Sequence, residues 1–317
     1  MKIKFVKMKI GNFRAPFIDY RNPGIFMVTM NKAPGVMPFS SIVAGGVPES
    51  PRVYVRCLQT GKVIQNCIVD FTNQFPLMEI WRYIIMPDHL HFILNIKQRM
   101  ERTLGECISK WKRIIFHELQ QSSLLPPGQN TIFEKGFNDQ FLKRNRSLKI
   151  IKQYILRNPY RLWVMQNNPD YFKTLSSLKI GETDCSVYGN ISLLENPLME
   201  QVIAHRSETV QEQEDKKERW RYSLYNGGVI VSPFIAPREK EIRDEAFNFG
   251  GKIIMVSDKF YGGKEKPQGR LFQHCETGNL VIVTPKIDYS IMSLRARCLF
   301  LNEISRQIAE RNTIGSL

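Results

Sequence analysis

Residues 24–30 (GIFMVTM) are apolar almost without interruption, a pattern that predicts a buried strand. The stretch 34–51 is rich in Gly, Pro and Ser and reads as loop. A second strand is expected over 53–58, followed at 61–70 by a mixed segment that receives no assignment. The clearest local unit is 77–96, where an apolar run ends at Met86, Pro87 and Asp88 make a turn, and HLHFILNI follows. That order is the pattern of a β-hairpin. Beyond it, Leu104, Ile108, Trp111, Ile115 and Leu119 recur at close to helical spacing and predict an amphipathic helix over 103–121. A Pro-Pro-Gly loop at 126–128 ends this region, 131–142 suits a short strand or an irregular segment, and Ser147 is placed to N-cap a helix running to about Asn158.

After residue 180 the pattern changes. Residues 181–222 read as a mixed linker whose charged part, 211–221, is either a solvated helix or an exposed connector. Then GVIVSP (228–233), KIIMVS (252–257) and LVIVT (280–284) read as strands. They alternate with helices expected over 238–249, 271–276 and 290–311. Strands rich in β-branched residues in βαβαβα order predict a small parallel sheet with helices on its faces. Three regions follow: an α+β N-terminal domain at 1–180, the linker, and a small α/β Rossmann-like domain at 223–317.

Composition adds limits and one asymmetry. The chain has 317 residues, 43% of them hydrophobic, an ordinary globular composition long enough for two cores. No run of about 18 apolar residues appears, and the opening MKIKFVKMKI alternates charged and apolar residues, so cytoplasmic residence is expected and no membrane contact. The 6 cysteines include no C-x-x-C pair and are read as reduced, mostly buried thiols. Net charge is +15, but residues 1–180 carry 27 Lys+Arg against 11 Asp+Glu while 181–317 carry 18 against 19. A basic module joined to a neutral one suggests a polyanion partner for the first, since neutralised phosphates release counterions.

Within the basic module, His89 and His91 stand two apart in a strand and project to the same face, with Leu90, Phe92 and Leu94 on the other. Such a pair is either a polar strand surface or two ligands of one divalent cation, which imidazole binds alone or with oxygen donors. Tyr154 and Asn158 lie four apart and share one side of the expected helix, offering a phenol and an amide oxygen together. Pro159 disfavours helical geometry at Asn158 and puts that amide at the expected frayed end.

The string MPDHLHFIL, the basic amphipathic helix, FEKGF at 133–137 and YILRNP at 154–159 together resemble the HUH single-tyrosine superfamily. Within it they are most similar to the transposases associated with repetitive extragenic palindromes. The resemblance covers about residues 20–165 and implies a ferredoxin- or RRM-like antiparallel sheet with helices. It also implies a Mg²⁺ or Mn²⁺ ion held by His89, His91 and Asn158. Tyr154 would be the single nucleophile, leaving a 5′-phosphotyrosine and a free 3′-hydroxyl in single-stranded or hairpin DNA. Position four after Tyr154 is Asn158, and Tyr160 points to a different face, so a second nucleophilic tyrosine is not expected.

Lys110, Lys112, Arg113, Lys143, Arg144 and Arg146 are candidates to track a DNA backbone, with Trp111, Phe133, Phe137 or Phe141 for base stacking. Lys152 and Arg157 are candidates both for DNA contact and for easing ionisation of Tyr154. His117 is read as a surface or core residue. Ser232, at a strand end, is read as a turn residue or an anion contact. The C-terminal region has no G-x-G-x-x-G and no P-loop, so no nucleotide site is expected there. Three functions compete: a metal-dependent nuclease or transposase acting on single strands, a non-catalytic nucleic-acid-binding protein that kept the fold, and a Rossmann-type small-molecule enzyme, its ligand held by 223–317, with a basic appendage. A homodimer is compatible with each, and no interface is legible.

Overall fold

A computed structural model of the chain describes residues 18–47, 50–142, 145–263 and 265–310. It divides into two compact units, Met1–Trp163 and Val164–Leu317.

The first unit is built on strand β1 (Gly24–Asn31), whose apolar run carries Phe26, Val28 and Met30 into the core. Within the stretch expected as loop lies a strand, β2 (Ser40–Val47), paired antiparallel with β3 (Ser50–Cys57), which covers the strand expected at 53–58. The Gly and Pro content of the stretch misleads because a two-stranded ribbon has only edges, where Pro51 sacrifices no interior ladder bond. The mixed segment 61–70 belongs to helix α1 (Gln59–Val69), which buries Thr60, Gly61, Ile64, Cys67 and Ile68. Glycine is required at position 61, because a Cβ there would stand 2.0 Å from the Phe39 carbonyl oxygen. A short helix, α2 (Phe71–Gln74), leads into the expected hairpin of β4 (Met78–Ile85) and β5 (His89–Ile96).

Helix α3 (Leu104–Gln121) starts with a capping box in which Thr103 and Glu106 satisfy each other's backbone amides. Strand β6 (Asn138–Phe141) then pairs with the free side of β1, and helix α4 (Asn145–Asn167) follows. The sheet order β4-β5-β1-β6 is antiparallel throughout, with α1 and α3 between strands in the β-α-β-β-α-β order of the ferredoxin-like arrangement. One sheet face, carrying Phe26, Val28, Leu90, Phe92 and Leu94, packs on α1 and α3 in a single core. The opposite face meets α4.

The expectation that α4 stops near Asn158 is corrected, since the helix runs on to Asn167 with Pro159 inside it. Proline removes one intrahelical N–H but does not end a helix whose flanks are held by packing; Ile155 on one side and Val164 on the other are buried.

The second unit begins well before residue 223. Strands β7 (Lys173–Ile180) and β8 (Thr183–Gly189) form an antiparallel pair, and β9 (Met199–Gln201) and helix α5 (Val210–Tyr225) follow. The segment expected as a linker, 181–222, is therefore folded into this unit. Its charged part is a helix that buries Trp220, Ser223 and Leu224 at its C-terminal end. Next come β10 (Val229–Ser232), α6 (Pro237–Phe249), β11 (Lys252–Val256), α7 (Arg270–Glu276), β12 (Leu280–Pro285) and α8 (Leu294–Glu310).

The pairings of β10 with β11 and β11 with β12 are parallel, as expected. The sheet is nevertheless mixed and larger, with order β7-β8-β12-β11-β10-β9 and an antiparallel junction between β12 and β8. Its parallel strands follow chain order without a reversal, so they lack the switch point of a doubly wound sheet. Residues of α8 and of α5 to α7 belong to separate clusters on its two faces, so β10 and β12 are buried along their length. Among the described residues no disulfide forms, and Cys67, Cys107, Cys185 and Cys275 are buried. Among the described residues no helix is long and apolar enough to cross a membrane.

Candidate active site

The hairpin that carries the histidines is closed tightly, with the Met86 amide donating to the His89 carbonyl at 2.8 Å around Pro87 and Asp88. Alternation along β5 then brings His89 and His91 to one face, their ring centroids 4.3 Å apart. Each imidazole has its Nδ1 engaged: that of His89 lies 2.7 Å from Asp88 Oδ1, and that of His91 lies 2.7 Å from Thr29 Oγ1. Thr29 is the cross-strand partner of His91 in the β1–β5 register. The Asp88 carboxylate only accepts, so His89 donates from Nδ1 and its Nε2 keeps the lone pair; the Thr29 hydroxyl is placed to accept from His91 Nδ1 in the same way. The Nε2 of His89 is buried and meets no hydrogen-bond partner.

Burial, helped by the neighbouring His89 and opposed by Asp88, pushes the His91 imidazole down from 6.5 to about 3. It is therefore neutral at physiological pH, the form in which imidazole binds metal.

Helix α4 brings the remaining residues. The Tyr154 ring stands 5.7 Å from that of His91, and the Arg161 guanidinium lies 5.9 Å from the Tyr154 ring centroid. Tyr154, Asn158 and Arg161 recur at i, i+4 and i+7, one stripe of the helix. Asn158 is 8% exposed rather than frayed outward, and its Nδ2 donates to the Tyr154 carbonyl at 3.0 Å. That bond engages the amide nitrogen and not the Oδ1.

Among the described residues no group of three or more His, Cys, Asp or Glu side chains is arranged to hold a metal ion. A cation here would take the two imidazoles and an oxygen such as that of Asn158. The residues fit that use. A buried nitrogen lone pair without a partner is costly unless a cation or a donor meets it. Metal-ligating histidines also characteristically donate their second N–H to a carboxylate or another oxygen, as these two are placed to do.

The expected DNA-contact residues separate. Trp111 is corrected: it is fully buried on the opposite side of the sheet, edge-on to Phe71 and Phe92, with its indole N–H donating to the Cys67 carbonyl at 3.3 Å. Phe133 is likewise core. Lys112 is corrected too, because its ammonium is bound to the carbonyls of Glu134 and Gly136, and burial lowers its pKa to about 8. Lys110 and Arg113 line a cleft of about 570 Å³ together with Arg102, on the α3 side of the sheet rather than the histidine side. Lys143 and Arg144 lie outside the described residues, and Arg146 falls in the first turn of α4.

Lys152 and Arg157 are on α4, Arg157 exposed and Lys152 with its ammonium 5.9 Å from the Trp81 ring centroid. In the second unit, Ser232 is a turn residue, its Oγ accepting from the Phe234 amide at 2.9 Å. The nearby amides of Ile235 and Ala236 are taken by the buried Glu239 carboxylate.

Three residues escaped the sequence. Thr29 and Asp88 hold the histidines, and Arg161 faces the phenol. Asp88 adjoins His89 in sequence and was there to be found; Thr29 is 62 residues from His91 and carries no local signal. Arg161 lay beyond the expected helix end.

No family model matches this chain, and no curated protein matches it. A solved structure described as "Structure of the REP associates tyrosine transposase bound to a REP hairpin" aligns with 48% of this chain and 74% of its own, at 16% identity and a TM-score of 0.33, a distant likeness.

Proposed function

We propose that the first unit is a metal-dependent single-strand DNA endonuclease or transposase that uses Tyr154 as its nucleophile. The observation that carries this reading is the juxtaposition of a buried, unpartnered His89 Nε2, a neutral His91 and a phenol 5.7 Å from that ring. The resemblance of MPDHLHFIL and YILRNP to the HUH pattern supports it. His89, His91 and Asn158 would hold Mg²⁺ or Mn²⁺, and the bound ion would polarise the scissile phosphate as a Lewis acid.

Tyr154 Oη attacks phosphorus, forming a phosphotyrosine bond as the bond from phosphorus to the 3′-oxygen breaks. The phenol gives up its proton and the departing 3′-oxygen gains one, so the strand leaves with a 3′-hydroxyl. Arg161, its guanidinium 5.9 Å from the Tyr154 ring centroid, would pair with the negative charge of the phosphate under attack. Thr29 and Asp88 hold the imidazoles in orientation. Hairpin DNA is the proposed substrate, because an unpaired segment beside a duplex stem presents a flexible phosphate to a site buried beneath α4.

The test is incubation of the purified protein with labelled hairpin and single-stranded oligonucleotides and Mn²⁺. A denaturation-resistant protein–DNA adduct is expected from the wild type and none from Tyr154→Phe, a loss of at least about a thousandfold in rate. Equal products from both proteins, or products that survive chelation, would leave a nucleic-acid-binding protein without this chemistry.

A further inference from the structure

Strand β4 contains an irregularity that the mechanism does not use. Its register against β5 shifts between Ile80 and Arg82, so Trp81 is an extra residue, a β-bulge on the edge strand of the sheet. Before the bulge Met78 and Ile80 pack into the core; after it Tyr83 and Ile85 do. The parity of the strand has slipped by one. Two consecutive side chains, Trp81 and Arg82, therefore turn to the face that carries His89 and His91. In the register Arg82 lies opposite Ile93, two residues from His91, or roughly 7 Å along the strand.

Trp81 is 40% exposed, an unusual state for the largest apolar side chain on a structured strand. Its indole N–H donates to Glu79 Oε2 at 3.2 Å, which sets the ring's orientation. The Lys152 ammonium stands 5.9 Å from the ring centroid, two residues from Tyr154 on α4. Arg82 beside it is exposed. An oriented, open aromatic ring flanked by two cations is the composition of a surface that stacks an unpaired base and pairs with its phosphates.

We infer that Trp81, with Arg82 and Lys152, is a stacking platform for one unpaired nucleobase of single-stranded DNA next to the scissile phosphate. This inference rests on the proposed function of the same site. The bulge is the device that makes it, since regular alternation would send Arg82 into the core and leave Trp81 alone on the face. A base held on the ring would fix the register of the strand and so select which phosphate reaches Tyr154.

The test uses the full chain with a fluorescent single-stranded oligonucleotide, measuring affinity by anisotropy in the presence of chelator. The same strand is then examined with one abasic nucleotide stepped through each position. Trp81→Ala is expected to bind the intact strand about tenfold more weakly, and Trp81→Phe to lose no more than about threefold. At one abasic position the wild type should fall to the level of Trp81→Ala, which should itself be indifferent to that lesion. Affinity of Trp81→Ala within twofold of the wild type, or losses that add at every abasic position, would overturn the platform. A role limited to packing α4 would appear as a lower thermal midpoint with no position dependence, and would also overturn it. Adduct formation on Mn²⁺ separates the two proposals. Adduct with no role for Trp81 removes the platform alone, base-dependent binding without adduct removes the chemistry alone, and absence of any strand binding removes both.

Discussion

At the scale of single residues, the contrast between Trp111 and Trp81 decides which aromatics face solvent. Both lie near basic side chains in sequence, yet one is sealed in the core and the other stands on a bulged edge strand. A tryptophan at a helical apolar position belongs to the stripe that the helix buries, and its basic neighbours say nothing about its own side.

His274 makes a separate point. Burial is the main cause that holds its imidazole below the ordinary value of 6.5, and its Nε2–H donates to the Gly251 carbonyl at 2.5 Å. Below pH 6.5 the unfolded chain accepts a proton that the folded protein refuses, so this group's contribution to stability is intact above that pH and is lost as pH falls below it. The urea midpoint should therefore drop more between about pH 7.5 and about pH 5.5 in the wild type than in His274→Gln. Equal drops would show that this histidine is not the group responsible.

At the scale of elements, the first unit depends on helices whose ends are locally specified and whose interiors are not. Thr103 and Glu106 close a capping box at the start of α3, a signature readable in the sequence. Thr103→Ala should cost about 1 kcal/mol of unfolding free energy in a denaturant titration, and Thr103→Ser little. Helix α4 is the opposite case. Its passage through Pro159 depends on buried residues on either side, and that continuation places Arg161 above Tyr154. Strand β4 shows the same division: the alternation of MEIWRYII slips at Trp81, a signal present in the letters, but the face on which Trp81 emerges is set by pairing with β5.

For the whole molecule, the charge asymmetry sharpens when the observed division is used. Residues 1–163 carry 25 Lys+Arg against 10 Asp+Glu, and 164–317 carry 20 of each. The basic excess belongs entirely to the unit with the histidine pair. Its members do not all serve one surface, since Lys110 and Arg113 lie on the α3 side while Arg82, Lys152 and Arg161 lie on the α4 side. If a strand follows the α4 side, about three or four phosphates are neutralised. Raising monovalent salt fourfold should then weaken single-strand binding roughly twenty- to fiftyfold. A salt slope near zero would separate binding from this charge.

By itself the sequence determined the local elements with strong period or punctuation: β1, the β4–β5 hairpin, α3, and the alternation of strands and helices after residue 228. It also determined that His89 and His91 share a face, because a two-residue period leaves no other choice in a strand. Tertiary structure decided what periodicity leaves open. Cross-strand register put Thr29 on His91, packing carried α4 past Pro159, and the antiparallel pairing of β8 with β12 drew the expected linker into the second sheet. Those outcomes depend on residues tens of positions apart, whose mutual burial outweighs local preference. For the same reason the paired histidines, ambiguous as a strand surface, become two adjoining imidazoles beside a tyrosine, one with a buried and unpartnered nitrogen, only once the sheet and α4 come together.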